Sequence, residues 1–216
     1  MEASFASEIR FASSRRATED RAAVFEVAGA LVVVVADGAG GIAGGAVASD
    51  ALVSAVRQRS LEPAFDPWSR GGWCDLLERV DRELVLSREG GETTALVLVV
   101  GACGVLGVGS GDSETWSVDE EHVDRLTEGL DRARLGHGRA RPTSFHRGAT
   151  AGTLLVATDG LFKHASERAI VACVRGSSPL GATADALVEL PRMRTGVYPD
   201  DVALAIVRRA ALGTVP

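Results

Sequence analysis

Leu31-Val32-Val33-Val34-Val35-Ala36-Asp37-Gly38 is an unbroken apolar run that ends in an aspartate and a glycine. Four consecutive valines restrict χ1 and favour extended backbone, so the run predicts a strand. It has no polar alternation, which predicts burial on both faces. Asp-Gly then closes it as a turn pair. The same pattern recurs along the chain. Residues 22–27, 93–100, 104–108, 114–118, 153–157 and 202–207 are short, apolar, β-branched runs bounded by Gly, Asp or Ser, as strands are.

Helical periodicity fills the spaces between these runs. Residues 45–59 place Ala48, Ala51, Leu52, Ala55 and Val56 on one stripe, and residues 75–88 do the same with Leu76, Leu77, Val80 and Leu84. Two more helices are expected at 166–175 and 182–190. Residues 128–149 are rich in Gly, Arg and His, show no period and read as a loop. The strands come in consecutive runs, with helices paired in the middle and near the end. That order is not βαβα alternation. It predicts an α+β fold in which antiparallel sheets carry helices on their outer faces.

Composition narrows the classes of function. A chain of 216 residues suits one domain, 1–216. A hydrophobic share of 46% and a charged share of 24% are those of a globular protein. The net charge of −6 argues against nonspecific nucleic-acid binding, which needs a basic surface. Cys74, Cys103 and Cys173 are widely spaced and form no CxxC pair, a pattern that fits reduced thiols better than a disulfide framework or a zinc site. Residues 1–14 lack the layout of a signal peptide. The uncharged stretch 95–111 holds five glycines and reads as two strands around a turn rather than a membrane span. The expectation is a cytoplasmic monomer with neither nucleic acid nor membrane as partner.

The carboxylates share one context. Asp37-Gly38 ends the valine run, Gly111-Asp112-Ser113 follows 104–108, and Thr158-Asp159-Gly160 ends 153–157. Asp200-Asp201 immediately precedes 202–207, and Glu19-Asp20 closely precedes 22–27. Each pair alone is ordinary turn chemistry. Five such strand ends gathered at one edge of a sandwich bring carboxylates within a few ångströms, where they repel unless a cation lies between them. Oxygen-only donors favour hard divalent ions, Mg²⁺ or Mn²⁺.

Six segments in order carry a resemblance: Arg15-Arg16-Ala17-Thr18-Glu19-Asp20, Val33-Val34-Val35-Ala36-Asp37-Gly38-Ala39-Gly40-Gly41, Gly91-Glu92-Thr93-Thr94-Ala95, Val108-Gly109-Ser110-Gly111-Asp112-Ser113, Leu154-Leu155-Val156-Ala157-Thr158-Asp159-Gly160-Leu161, and Asp200-Asp201-Val202-Ala203-Leu204. With them the chain resembles the metal-dependent serine/threonine protein phosphatases of type 2C, over a core of about 15–207. The resemblance implies a four-layer αββα sandwich with two divalent ions, Mn²⁺ or Mg²⁺, at one end. Asp37 would bridge both ions and the Gly38 carbonyl would bind one. Asp159 and Asp200 would be further ligands, and Glu19 and Asp20 would hold metal-bound waters. Arg15 would bind the phosphate, and Asp112 would serve a weaker third metal. The implied reaction is attack by a water bridging two metals on phosphoserine or phosphothreonine in proteins, the products of a serine/threonine kinase. No GxSxG elbow or HExxH motif competes with it.

Two residues depart from the family pattern. Ala39 replaces a frequent histidine, which leaves leaving-group protonation to a metal-bound water or to another group such as His164 or His146. Lys163 stands where a third-site aspartate is common and argues against that third site. Two other readings exist. Gly38-Ala39-Gly40-Gly41-Ile42-Ala43 formally matches GxGxxG/A, but no second strand follows residues 45–59 to complete a dinucleotide-binding unit. A non-catalytic domain of the same fold that recognises phosphoproteins is the stronger alternative.

Overall fold

The computed structural model describes residues 4–15, 17–39, 44–87, 90–149 and 152–210. In chain order the elements begin with β1 (Phe5–Ala12), β2 (Arg21–Val27), β3 (Ala30–Ala36), the two-residue β4 (Gly38–Ala39), α1 (Gly44–Ser60) and α2 (Arg70–Leu86). Next come β5 (Glu92–Thr93), β6 (Ala95–Gly101), β7 (Gly104–Ser110), β8 (Glu114–Val118), β9 (Val123–Arg125), β10 (Thr143–Gly148) and β11 (Thr153–Ala157). The chain closes with α3 (Asp159–His164), α4 (Glu167–Arg175), α5 (Leu180–Glu189) and β12 (Val202–Arg209). One five-stranded sheet runs β1-β12-β11-β8-β9 and the other β10-β7-β6-β3-β2, with β4 and β5 as a separate pair. Every paired strand is antiparallel to its neighbour. The expected α+β sandwich of two antiparallel sheets flanked by helices is the architecture found.

The valine run explains itself once the layers are visible. Leu31, Val33 and Val35 enter the core between the two sheets, with Leu96, Leu98, Leu154, Val156 and Ala205. Val32, Val34 and Ala36 point the other way, into the core beneath α1 and α2 with Leu52, Val56, Trp73, Leu76 and Leu77. The second sheet buries Leu155, Ala157, Leu204 and Ile206 against Leu161, Ile170, Ala184 and Leu187 of α3, α4 and α5. Helices cover the outer face of both sheets, so antiparallel strands here lose the polar alternation that a wetted face imposes.

The antiparallel register decides where the acidic turns go. Arg21 at the start of β2 pairs with Ala36 at the end of β3, so Glu19-Asp20 and Asp37 lie at the same end. Ala95 pairs with Ser110, which puts the close of β7, and so Asp112, at that end as well. In the other sheet Ala157 pairs with both Glu114 and Leu204, which aligns the start of β8, the exit of β11 before Asp159 and the entry of β12 after Asp200.

The sequence reading missed several elements. β1 is an edge strand with mostly half-buried residues, and it carries no continuous apolar run. The segment read as a loop contains β10, polar and largely exposed. The strand expected over 93–100 is broken at Thr94, between β5 and β6. α2 begins at Arg70 rather than 75, capped by the Ser69 hydroxyl, which accepts from the Gly72 N–H. Among the described residues no helix is long and apolar enough to cross a membrane.

Candidate metal centre

A cleft of about 280 Å³ opens at this end of the sandwich, lined by Arg15, Glu19, Asp20, Asp37, Gly38, Ala39, Arg134, Asp159, Lys163, Asp200 and Asp201. A hollow of about 550 Å³ near Asp119 and Arg175 is larger but holds no comparable convergence of carboxylates. Chemistry rather than size singles out the smaller cleft. Asp37, Asp112 and Asp159 each offer an oxygen within 4.8 Å of the others. The structure thus brings all eight residues expected from the sequence to one region, with Asp112 at its margin. Arg16 and residues 40–43, part of the quoted segments and of the GxGxxG/A match, lie outside the described residues.

Local packing fixes each side chain. Asp37 leaves β3 clamped to Thr94: its N–H donates to Thr94 Oγ1 at 2.9 Å, and its carbonyl accepts from the Thr94 N–H at 2.9 Å. Thr94 Oγ1 also meets Ser113 Oγ at 2.7 Å, which ties the Asp112 turn to the Asp37 turn. This clamp interrupts the strand at Thr94. A Cβ on Gly38 would sit 2.3 Å from the Gly45 carbonyl oxygen and 2.6 Å from that of Glu19. Glycine here lets three backbone segments close up, rather than opening the site to solvent. Gly160 does the same for α3, since a Cβ there would lie 2.0 Å from the Asp201 carbonyl oxygen.

The adjacent aspartates 200 and 201 divide their work. Asp200 is exposed and faces the cleft. Asp201 is buried, takes a short hydrogen bond from the Ser13 hydroxyl and accepts from the Glu19 N–H at 2.9 Å, so it pins the Glu19 segment in place. Glu19 in turn holds Arg15, Nη1 to Oε2 at 2.9 Å. Lys163 is one turn beyond Asp159 on α3. Its ammonium contacts Asp159 and lies 3.7 Å from Asp112. Arg134, from the segment before β10, places Nη2 3.1 Å from Asp37 Oδ2. His164 and His146 are exposed and neither lines the cleft.

The electrostatics are those of crowded anions. Burial, then the Asp37 charge, pushes the Asp20 carboxyl up to about 8. Burial and Asp159 push Asp37 up to about 6. Burial also raises Asp159, against the hydrogen bond from Lys163, and that bond raises Lys163. Asp20 Oδ2 and Asp112 Oδ1 are buried without any hydrogen-bond partner among the described residues. An unpartnered buried carboxylate oxygen is costly. Two of them, in an oxygen-only cluster whose members repel one another, fit hard divalent cations.

Sequence reasoning missed Arg134, Thr94 and Asp201. Arg134 stands in an aperiodic segment that offers no signal. The pair Asp200-Asp201 was visible as an acidic cluster ahead of β12, but nothing in the spacing separates the roles of its two members.

No family model and no curated protein matches the chain by sequence. Its fold, however, is shared with solved bacterial phosphatases. The Streptococcus agalactiae serine/threonine phosphatase superposes with a TM-score of 0.86 at 20% identity, over 96% of this chain and 100% of that one. Stp1 from Staphylococcus aureus gives 0.83 at 17%, over 95% of each chain. The catalytic domain of the phosphatase PstP, solved with two manganese ions, gives 0.78 at 21%, over 97% of this chain and 99% of that one. The architecture built here from strand register is therefore that of bacterial serine/threonine phosphatases.

Proposed function

We propose that this chain is a type 2C protein phosphatase that hydrolyses phosphoserine and phosphothreonine in proteins with the help of two divalent ions. The observation that carries the reading is the meeting of Asp37, Asp112 and Asp159 oxygens within 4.8 Å, beside Arg15, on a fold shared with serine/threonine phosphatases. The manganese pair of the PstP structure supports the same assignment. Asp37, Asp159, Asp200 and the Gly38 carbonyl would hold the ions. Glu19 and the buried Asp20 would hold metal-bound waters, and Asp112 stands beside Lys163. Divalent ions held there supply positive charge toward phosphoryl oxygens and acidify water. Either Mn²⁺ or Mg²⁺ suits the oxygen donors.

The chain's own groups have distinct tasks. Arg15, two-thirds exposed and tethered by Glu19, presents a guanidinium at the cleft mouth where a phosphate dianion enters. Asp201 and Ser13 keep that segment in register with the metal ligands. Lys163 offsets the charge of Asp159 and Asp112. No described histidine lines the cleft, so leaving-group protonation falls to water in it. The chain works as one domain, since both sheets build a single inner core. Its substrates are products of a serine/threonine kinase, and three free thiols suit the cytoplasm. A phosphoprotein-binding role without hydrolysis is disfavoured by the convergence of Asp37, Asp159 and Asp200 in one cleft.

The test is hydrolysis of an aryl phosphate with and without Mn²⁺, alongside calorimetric titration of the metal-stripped protein. Two or more divalent sites with Mn²⁺-dependent turnover are expected. Metal binding without hydrolysis of aryl phosphate or phosphopeptide would favour the binding-domain reading.

A further inference from the structure

The segment between β9 and β10 is aperiodic in sequence but firmly held. Asp81 of α2, 4% exposed, turns its carboxylate to the backbone of this segment. Its Oδ1 accepts from the Gly136 and Gly138 N–H groups at 2.7 and 2.9 Å, and its Oδ2 accepts from Ala140 at 3.2 Å. Leu135, fully buried under α2, exchanges two backbone hydrogen bonds with Thr93, at 3.0 and 2.8 Å. Asp131 anchors the near side: its Oδ2 accepts from Ser110 Oγ at 3.1 Å and from the Arg141 N–H at 2.9 Å. Arg134 sits between these anchors, next to Leu135, so the root of its side chain is fixed.

The guanidinium of Arg134 lines the cleft and spends one nitrogen on Asp37. Its other N–H donors have no partner among the described residues, and the side chain is 32% exposed. Of the other two cations that line the cleft, Arg15 is tied in the same way, by one nitrogen to Glu19, and the Lys163 ammonium is bonded to Asp159. A planar guanidinium that gives one edge to a carboxylate keeps another edge for the two oxygens of a phosphoryl group, which an ammonium cannot match.

We propose that Arg134 is a second phosphate-binding arginine of this cleft, and that Asp81 is its positioning residue, acting through the backbone of residues 135–140. The inference rests on the phosphatase reading and extends it by naming a further substrate contact. The buried carboxylate on α2 is explained by it, since three converging N–H groups are a strong device for shaping one loop.

The experiment measures KM and kcat on a phosphothreonine peptide in saturating Mn²⁺, inhibition by inorganic phosphate, and Mn²⁺ affinity by calorimetry. Folding of each variant is checked by circular dichroism. Arg134→Ala should raise KM about tenfold or more, weaken phosphate inhibition in parallel and leave kcat within a few-fold. Mn²⁺ affinity should hold or tighten, because a cation beside Asp37 is gone. Arg134→Lys should recover only part of the loss. Asp81→Asn should move KM in the same direction, and in the Arg134→Ala background it should add nothing further. If Asp81→Asn fails to fold, Asp131→Asn perturbs the same loop from its other anchor and should give the same non-additive pattern.

Unchanged KM and phosphate inhibition in Arg134→Ala overturn the phosphate contact. Weakened Mn²⁺ binding in that variant also overturns it, since Arg134 would then serve to orient Asp37. Additive effects in the double variant overturn the positioning role. Wild-type protein inert in Mn²⁺ defeats the phosphatase reading instead, and direct calorimetric titration with inorganic phosphate still decides Arg134.

Discussion

Stripping the metal should turn the acidic cleft into a pH-dependent weakness. Asp20 rises from its ordinary 3.8 to about 8 in the folded chain, because it is buried and faces Asp37. Asp37 rises from 3.8 to about 6 through burial and Asp159. Between the ordinary and the raised values the folded state holds protons that the unfolded chain has released. Stability is then full below about pH 4 and is lost as pH climbs through 6 and 8. Each such proton costs about 1.4 kcal/mol per pH unit. From pH 5 to pH 7 Asp20 contributes over the whole interval and Asp37 over its lower half, a loss of about 4 kcal/mol. For a chain of this length that is a fall of about 10 °C in the thermal midpoint. Differential scanning fluorimetry in excess chelator over this range reads the effect directly. Saturating Mn²⁺ should abolish the decline, because bound cations replace the protons. Asp20→Asn in chelator should remove more than half of it. A midpoint in chelator that stays level or rises from pH 5 to pH 7 would refute the crowded-carboxylate account.

Other substitutions probe single links. Asp37→Asn should lower turnover by several orders of magnitude while circular dichroism stays native, and retention of more than a tenth of wild-type turnover at saturating Mn²⁺ would remove Asp37 from the metal set. Gly160→Ala forces a Cβ to within 2.0 Å of the Asp201 carbonyl oxygen. It should cost about 1–3 kcal/mol in urea melts and parallel activity, whereas wild-type stability would show that α3 can shift freely. Lys163→Asp exchanges the ammonium between Asp159 and Asp112 for a carboxylate. Calorimetry should then record an additional weak Mn²⁺ step, and an unchanged titration would mean that the lysine excludes no ion.

The fold was legible in this chain wherever burial imposed a pattern. The valine run, the apolar runs of β6 and β7 and the α1 stripe all report apolar surroundings on the faces they present. β1 and β10 escaped because edge strands tolerate polar, half-wetted residues, so their signal lies in backbone pairing rather than in composition. The acidic strand ends were readable because antiparallel register sends alternate turns to one end. The roles within that set were not readable from spacing alone. Asp200 and Asp201 differ only in which way the chain turns ahead of β12. Gly38 serves backbone close approach, which no local pattern reveals. Asp81 did leave a mark, as a carboxylate at i+4 from Leu77 and three before Leu84, inside the buried stripe of α2. Arg134 left none, since its place depends on Asp81 and Thr93, both more than forty residues away in sequence.

The decisive measurement is release of inorganic phosphate from a phosphothreonine peptide, followed side by side in Mn²⁺ and in chelator. A metal-dependent hydrolase built on Asp37 gives steady release in Mn²⁺, none in chelator, full recovery on adding Mn²⁺ back, and release lowered by several orders of magnitude in Asp37→Asn. Undiminished release in chelator, or equal release from Asp37→Asn, would contradict it.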